Sequence, residues 1–250
     1  MLHSEAPPWS ACRTTASTRP ASPLALRIRR VKLAVMHLGG LMDTFEKRVY
    51  AGEIKKQCQF CLAAIQYLNN ALKQVGNRGI KSEERTFFHS EVFRQMHSLL
   101  THASNVSRMF WPPTPKQKKN ETDEDFEKRL LSIDKVVRGR VLKGAFGVDD
   151  SNPLKNRVLR DHLEHYDERL DHWRNNSTNK NIVSDTIGPP NAIVGPDATD
   201  MMRWFDPTRN IFMFRGEEYD IQSIATAIDN ILSIAVNLEK VLWEQQCGRA

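Results

Sequence analysis

The sequence lacks the short motifs that mark most catalytic and cofactor-binding sites. It contains no glycine-rich phosphate loop, no G-x-S-x-G, no H-E-x-x-H and no EF-hand loop. It also contains no Glu-x-x-His, the motif that a di-iron site in a helical bundle takes from two of its helices. These absences argue against an NTPase, a serine hydrolase, a zinc protease or a di-iron protein, and we expect no cofactor.

Cysteine is scarce, with four residues in 250. Cys58 and Cys61 form a C-x-x-C within a helical pattern of apolar residues, and no second pair lies nearby. Structural zinc takes four ligands, and Cys12 and Cys247 lie near the ends of the chain, so the spacing does not favour a zinc site. We interpret Cys58 and Cys61 as reduced helix cysteines in a reducing compartment.

Acidic residues are almost absent from the first 35 positions, which hold six basic residues and one acid. Out of totals of 36 and 30, this leaves 30 basic and 29 acidic residues for the rest of the chain. Of the net charge of +6, the tail therefore carries +5 and the rest of the chain +1, which does not support general nucleic-acid binding by the body of the protein. Residues 1–35 resemble a transit peptide or an extended start before Met36 or Met42, and we predict a disordered tail.

Long apolar runs are also missing, and none approaches the roughly 18 residues that a membrane span needs. Hydrophobic residues make up 40% of the chain and charged residues 26%, which is ordinary for a globular protein with a substantial core. We therefore expect a cytoplasmic protein that does not bind membranes, with residues 36–250 folded as a single domain.

Apolar residues recur at helical spacing over most of the chain, with no internal repeat and no alternation of strands and helices. This pattern predicts an all-α fold, an antiparallel bundle of about five helices. One small β-hairpin is expected before the last helix, with strands at Met202–Phe205 and Ile211–Phe214. Residues 175–200 are expected to form a long polar loop, either a functional flap or a mobile segment. The predicted helices run from Phe45 to about Val75, from Ser82 to Trp111, from Thr122 to Val141, from Asn152 to Arg174, and onward from Asp220.

The segment from Asn152 to Arg174 is unusually polar on one side of its predicted helix. Asn152 is a favourable N-cap, and Pro153 occupies the first helical position, where a missing N–H costs nothing. The polar side holds histidines, arginines and carboxylates, so this segment is the first place to look for a chemical site. The other side is an apolar stripe of Leu159, Leu163, Tyr166, Leu170 and Trp173.

Within this segment, the sequence RDHLEH from Arg160 to His165 has an arginine, a polar residue, three further residues and a histidine. This spacing on a late helix of a helical bundle resembles the signature of HEPN proteins, many of which are metal-independent ribonucleases of bacterial toxin–antitoxin and phage-defence systems. The resemblance implies a catalytic role for Arg160 and His165 in an endoribonuclease that binds RNA. One toxin subgroup has a tyrosine two residues after the histidine, and the chain departs from it with Asp167.

The chemistry of RNA cleavage suits these residue types. Attack by a 2′-hydroxyl needs a group that takes its proton, a group that protonates the leaving 5′-oxygen, and a cation beside the phosphorane. A histidine that titrates near neutrality suits the proton transfers, and an arginine suits the non-bridging oxygens. Five helical positions set Arg160 and His165 about 140° apart. The resemblance therefore implies a homodimer joined near this helix, in which two motifs line one cleft, and a partner antitoxin is a further expectation.

Other residues are predicted to support this site. Asp161 and Glu164 would orient Arg160 and His165 or polarise the histidine, and His162 lies between them. Asn105 and Ser107, near the end of the second predicted helix, are candidate lining residues.

A local basic patch closes the third predicted helix, with no acid between Asp134 and Asp149. The patch is a candidate phosphate-binding surface for RNA. The same charges also suit a solvated helix C-terminus, where cations complement the helix dipole. Its residues are Lys135, Arg138, Arg140 and Lys143.

Three alternatives remain open for the motif segment. A non-catalytic HEPN-like module would bind RNA or protein without cleaving it. A small metal-binding helical protein would use Asp161 and His165, or His162 and His165, as ligands from one helix. His97 or His102 would complete such a metal site from another helix. Opposite charges four residues apart also suit a solvated salt-bridge face that performs no chemistry.

Overall fold

Three long helices form the framework of the protein, whose computed structural model describes residues 42–189 and 192–248. The helices in this part of the chain are α1 (Thr44–Gly76), α2 (Ser82–Phe110), α3 (Asp123–Leu131), α4 (Asp134–Phe146), α5 (Val158–Glu164), α6 (Tyr166–Asn176) and α7 (Ile221–Gln246). Helix α1 packs against both α2 and α7 along much of its length, so it is the central member of the framework.

Local sequence signals set the beginnings of the framework helices. Asp43 accepts a hydrogen bond from the backbone N–H of Glu46 at 2.7 Å, and the Glu46 carboxylate accepts from the N–H of Asp43 at 2.8 Å. This capping box satisfies two N–H groups near the start of α1. Asp220 accepts from the N–H of Ser223 at 2.9 Å and caps α7, as predicted. The predicted first, second and last helices are confirmed.

The core lies between the inner faces of the framework helices and one face of a small sheet. Ile54 and Leu68 of α1, Leu99 of α2 and Ile228 of α7 are fully buried. Burial of each such side chain contributes about 1.5–3 kcal/mol. The sheet adds Phe212, whose ring lies 6.4 Å from that of Phe93 on α2, centroid to centroid.

Cys58 and Cys61 lie on the buried face of α1, which confirms that they are helix cysteines. Both are free thiols. Burial raises the pKa of Cys58 to about 12 and also raises the pKa of Cys61, whose thiol donates to the carbonyl oxygen of Leu99 at 3.7 Å. A thiol that stays protonated at neutral pH is a poor nucleophile, so this pair packs the core.

A four-stranded mixed sheet precedes the last helix, so the fold is mainly helical but not strictly all-α. Its strands, in order across the sheet, are β1 (Thr186–Ile187), β2 (Trp204–Asp206), β3 (Ile211–Phe214) and β4 (Glu217–Asp220). Strands β2 and β3 are antiparallel and form the predicted hairpin. Strand β1 runs parallel to β2, and β4 runs antiparallel to β3. Both were missed because β1 has two residues and β4 is polar, so neither has an alternating apolar pattern.

The predicted third helix is in fact two helices, α3 and α4. Thr122 accepts from the N–H of Asp125 at 3.1 Å and caps α3, as predicted. Ile133 then leaves helical geometry, with φ −106° and ψ 107°. The break lets α4 place Leu142 and Phe146 in the core. Tertiary packing decides such a break, and helical periodicity does not report it.

The predicted continuous helix from Asn152 to Arg174 is also broken. Asn152 accepts from the N–H of Leu154 at 3.0 Å, but it caps only a 3₁₀ turn at Pro153–Lys155. Helix α5 ends before His165, whose φ of −103° and ψ of 39° lie outside helical values, and α6 follows. The prediction of one helix is therefore wrong, and His165 lies at the junction of two.

Two rings on either side of this junction meet the same ring of the sheet. His162 stacks on Phe214 with centroids 5.1 Å apart, and Tyr166 meets Phe214 edge-on at 6.1 Å. These contacts hold α5 and α6 against β3. Four members of the predicted apolar stripe pack against the core, namely Leu163, Tyr166, Leu170 and Trp173. The side chain of the fifth, Leu159, lies outside the described part of the chain.

The predicted loop at residues 175–200 contains regular structure where it is described. It holds β1 and a 3₁₀ turn at Ala198–Asp200. The N–H of Val183 donates to the carbonyl oxygen of Asp200 at 3.0 Å, and the N–H of Met202 donates to that of Val183 at 2.8 Å. The predicted tail, residues 1–35, lies outside the described residues.

Helix α7 is long and apolar enough, by length and composition, to cross a membrane. Its apolar residues do not form an uninterrupted run, so the sequence pattern did not indicate it as a possible membrane span. Its inner side packs on α1, where Ile228, Ile231, Leu238 and Leu242 are buried. Core helices and membrane spans both pass this test of composition, so the cytoplasmic localisation stays a prediction.

Gly139 of α4 lies against the turn that follows α2. A Cβ at this position would lie 2.8 Å from the carbonyl oxygen of Phe110 and 2.7 Å from Cδ of Pro112. We therefore expect Gly139→Ala to lower the free energy of unfolding by about 1–3 kcal/mol, measured by denaturant titration. Gly76→Ala is the control, because its Cβ would meet nothing within 4 Å. Equal losses in the two variants would contradict the steric explanation.

Candidate functional site

Arg160 lies in a groove between α2, α5, β4 and the first turn of α7. The groove contains a cavity of about 320 Å³. Apolar side chains of α2 form part of the wall, and charged and hydroxyl groups form the rest. The lining includes Leu100, Ser104, Arg157, Arg160, Glu218 and Tyr219.

The Arg160 side chain is 11% exposed and already has intramolecular partners. Its guanidinium forms ion pairs with Glu164, one turn further along α5, and with Asp161 at 3.4 Å. Its Nε has no hydrogen-bond partner within the described residues. Burial and the nearby Arg108 lower the pKa of Arg160, while Asp161 acts in the opposite direction. The groove therefore holds a cation that two predicted supporting residues contact directly.

His165 lies outside this groove, at the junction of α5 and α6. Its side chain is 55% exposed, and its Nδ1 is 3.1 Å from Oε1 of Glu168. Its Nε2 has no protein partner among the described residues. One nitrogen is thus held by a carboxylate while the other is free, which is the arrangement of an oriented general base. Arg160 and His165 bind different carboxylates, and no direct contact joins them in the described chain.

His162 is held on three sides and contributes to packing. Its ring stacks on Phe214, and its Nδ1 accepts a hydrogen bond from Nε of Arg169 at 3.0 Å. Its Nε2 lies 3.6 Å from the carboxylate of Glu217 on β4. Because both nitrogens and one face of the ring have neighbours, this position favours a structural role over the predicted supporting role.

Asn105 and Ser107 both lie on α2, but neither contributes to the described lining of the Arg160 cavity. Nδ2 of Asn105 donates to Oε1 of Gln57 on α1 at 3.3 Å, and Nδ1 of His102 meets the same oxygen at 2.8 Å. Ser107 is buried, and its hydroxyl has no described partner. The serine of α2 that lines the cavity is Ser104, one turn earlier, a distinction that spacing alone does not reveal.

His97 of α2 belongs to the electrostatic surroundings of Arg160. Burial lowers the pKa of His97, and the nearby cations Arg203 and Arg160 lower it further. Arg203 in turn pairs with Asp185 at 2.7 Å and lies 4.8 Å from the ring centroid of Tyr166. The sequence interpretation named His97 only as a metal ligand, because its proximity to two arginines arises from contacts between distant segments.

Acids from neighbouring segments pair with two of the four residues of the predicted basic patch. Arg140 pairs with Glu127 of α3, and Lys143 pairs with Asp150 at 3.1 Å. A terminal nitrogen of Arg138 donates to the carbonyl oxygen of Arg108 at 3.1 Å, and Arg138 lies 5.6 Å from the ring centroid of Tyr50. The fourth member of the patch, Lys135, is exposed. Glu127 and Asp150 lie outside residues 134–149, so the local sequence did not indicate that they would pair with the patch.

The alternative metal site gains no support from the geometry. In residues 42–189 and 192–248, no group of three or more His, Cys, Asp or Glu side chains is placed to hold a metal ion. His102, which the sequence interpretation named as a candidate ligand, points to Gln57 and has a pKa lowered by burial.

Arg160→Gln is expected to raise the pKa of His97, because it removes one of the two cations that disfavour the imidazolium. An NMR titration of the ring protons measures the change against the wild-type pKa, which should lie below the ordinary value of 6.5. Arg140→Gln is the control, because Arg140 is paired with Glu127 on another part of the surface. The same His97 pKa in wild type and Arg160→Gln would contradict the described proximity.

Comparisons with known proteins identify no relative. No family model, no curated protein and no solved structure matches the chain. The HEPN resemblance therefore depends on the residues from Arg160 to His165 and on their place late in a mainly helical fold.

Proposed function

We propose that this protein is a metal-independent endoribonuclease of HEPN type, with Arg160 and His165 as its catalytic residues. The observation that carries the proposal is the His165–Glu168 pair at the helix junction, five residues after a partly buried arginine. Glu168 orients the imidazole through Nδ1, which leaves Nε2 available to exchange a proton with bound RNA.

In the proposed reaction, His165 takes the proton of a ribose 2′-hydroxyl while the 2′-oxygen attacks the adjacent phosphorus. The bond from phosphorus to the 5′-oxygen breaks, and the protonated imidazole gives its proton to that oxygen. The products are a 2′,3′-cyclic phosphate and a 5′-hydroxyl. Because Arg160 and His165 of one chain lie apart, they act on one phosphate only where the motif segments of two chains line one cleft around the bound RNA. There Arg160 stabilises the charge on the non-bridging oxygens through parallel N–H donors.

Arg160 can bind a phosphate only if the RNA displaces Glu164. A carboxylate and a phosphate present similar pairs of oxygens to a guanidinium, so one can replace the other without loss of the ion pair. Glu164 is partly exposed, which gives it a route to solvent when it leaves. In this proposal Glu164 keeps the guanidinium paired and positioned until RNA binds.

The proposal also covers the setting of the activity. It places the protein in the bacterial cytoplasm, in a stress response or in phage defence, as a homodimer that a partner antitoxin would restrain. Of the basic patch, Lys135 is the member most available to RNA phosphates, because the other three contact neighbouring protein groups.

A second candidate function is a non-catalytic HEPN-like module that binds RNA or protein. The ion pair between Arg160 and Glu164 favours it, because this pair and the exposed His165 lie apart in the described chain. Such a module would retain binding after loss of either proposed catalytic side chain.

The protein is expected to cleave single-stranded RNA in the presence of EDTA. Arg160→Ala and His165→Ala should each lower the cleavage rate by about 100-fold or more, because each removes a group that acts in the transition state. His172→Ala is the matched control, since His172 is an exposed histidine of α6 outside the motif. RNA binding without cleavage, unchanged in both variants, would favour the non-catalytic module.

Glu164→Gln is expected to raise RNA affinity by about two- to fivefold, because it weakens the competitor of phosphate for Arg160. Fluorescence anisotropy with His165→Ala as the parent protein measures binding without cleavage. Asp167→Asn removes one exposed acid from the same segment and controls for general repulsion. If both variants gain affinity equally, Arg160 is not the phosphate-binding group.

A further inference from the structure

An apolar stripe runs along the exposed side of α1. Its four large members are Phe45, Val49, Phe60 and Tyr67, each between 44% and 63% exposed. At about 100° per residue they lie within about 60° of one another, opposite the side that α1 buries. The exposed side of a helix in a globular protein is normally polar. This stripe is therefore an unusual feature of the described surface.

The stripe continues onto α7. Trp243 and Val236 of that helix are 51% and 48% exposed. The guanidinium of Arg48 bridges the two helices, because it lies 5.5 Å from the ring centroid of Phe45 and 4.6 Å from that of Trp243. The stripe of α1 is thus joined to α7 at its N-terminal end, where Phe45 and Trp243 flank Arg48.

The size of this surface fits a specific protein interface. From the exposed fractions and the usual areas of these side chains, it presents roughly 600 Å² on each molecule. Complete burial of two such surfaces, α7 residues included, would remove roughly 1,200 Å² from solvent, which is the lower end of the range for stable interfaces. Patches of this size on a monomer are commonly functional.

We infer that this surface joins two copies of the chain, with the two α1 helices antiparallel about a two-fold axis at Lys56. The reason is the order of side chains along α1. Eleven positions on either side of Lys56 the residues are both aromatic, and at seven and four positions a larger residue on one side corresponds to a smaller one on the other. The facing pairs are Phe45 with the partner's Tyr67, Val49 with the partner's Ala63, and Gly52 with the partner's Phe60.

Side-chain size is complementary in this register. Phe60, the bulky residue nearest the axis, faces the partner's Gly52, which has no side chain to obstruct a ring. A Cβ at Gly52 would be in ordinary contact with Glu239 Oε1 of the same chain, at 3.6 Å, so a ring of the partner would pack over Gly52 beside this carboxylate. Val49 similarly faces the small side chain of the partner's Ala63. A two-fold interface requires such self-complementarity, because each patch packs on its own copy.

The charges near the axis are also complementary. Among the seven α1 residues that define the register, only Lys56 is charged, and its Nζ lies 3.9 Å from the carboxylate of Glu53 on the same helix. In the antiparallel register the two Lys56 residues face each other at the axis, and the Glu53 of each chain lies three positions away, so two anions offset the repulsion between the two cations. Lys55 remains paired with Glu239 of its own chain and does not enter this group.

This inference does not depend on the proposed ribonuclease activity. The stripe lies on the exposed side of α1, whereas Arg160 lies in the groove formed by α2, α5 and β4. The dimer proposed here therefore leaves the Arg160 groove open. It also differs from the expectation of an interface near residues 152–174.

Sedimentation analysis of the full chain at micromolar concentration is expected to show a dimer. The double variant Phe60→Asp with Tyr67→Asp should be monomeric, because it places four charges in the paired stripes. Phe87→Asp is the matched control and should remain dimeric, since Phe87 is a 59% exposed aromatic residue on α2. A monomeric wild-type chain would overturn the inference, and this includes the case in which residues 1–41, and not a second copy, cover the stripe. A dimer that survives the double variant would overturn it as well.

Cross-linking tests the register without disturbing the core. Lys56→Cys should cross-link to itself through a short bismaleimide, because both copies of this position lie at the axis. Gln66→Cys is the control on the same helix, since its two copies would lie about 30 Å apart at 1.5 Å per residue. Both variants carry serine at positions 12 and 247, and the buried Cys58 and Cys61 do not react. Equal cross-linking at both positions would reject the register.

Discussion

The burial of one side of α1 between α2 and α7 is the constraint on which the rest of the structure depends. It presents one flank of α2 to α5, and the cap at Asp220 joins the end of β4 directly to α7. The Arg160 groove forms where these elements meet. The same packing leaves the opposite side of α1 uncovered, so one arrangement of three helices generates both the groove and the exposed stripe.

Burial of charge explains much of the detail in the groove. A guanidinium that is 11% exposed needs a partner, and Glu164 supplies it from the next turn of the same helix. His165 needs no partner to offset burial, because its side chain is exposed beside Glu168 at the junction between α5 and α6. Arg160 is therefore shielded from water and His165 is exposed to it. In the proposed reaction Arg160 stabilises charge and His165 transfers protons.

The sequence predicted elements whose signals are local. The ends and apolar faces of α1, α2 and α7 were predicted because caps and helical periodicity act within a few residues. The hairpin of β2 and β3 followed from its turn. Strand β4 was not predicted. Arg215 and Gly216 have positive φ and form the tight turn before it, and the glycine is the sequence signal that could have indicated this turn. In the site, the nearness of His97 and Arg203 to Arg160 involves three distant segments and could not be read from spacing.

By itself the sequence determined the three framework helices, the position of Cys58 and Cys61 within the first of them, and the four-residue spacing that pairs Arg160 with Glu164. Only the tertiary structure decided the helix break at His165, where His162 and Tyr166 reach the ring of Phe214. It also decided which acids pair with residues of the basic patch. The reason is range, since capping and periodicity are properties of neighbouring residues, whereas ring packing and charge pairing depend on segments that only the folded chain brings together.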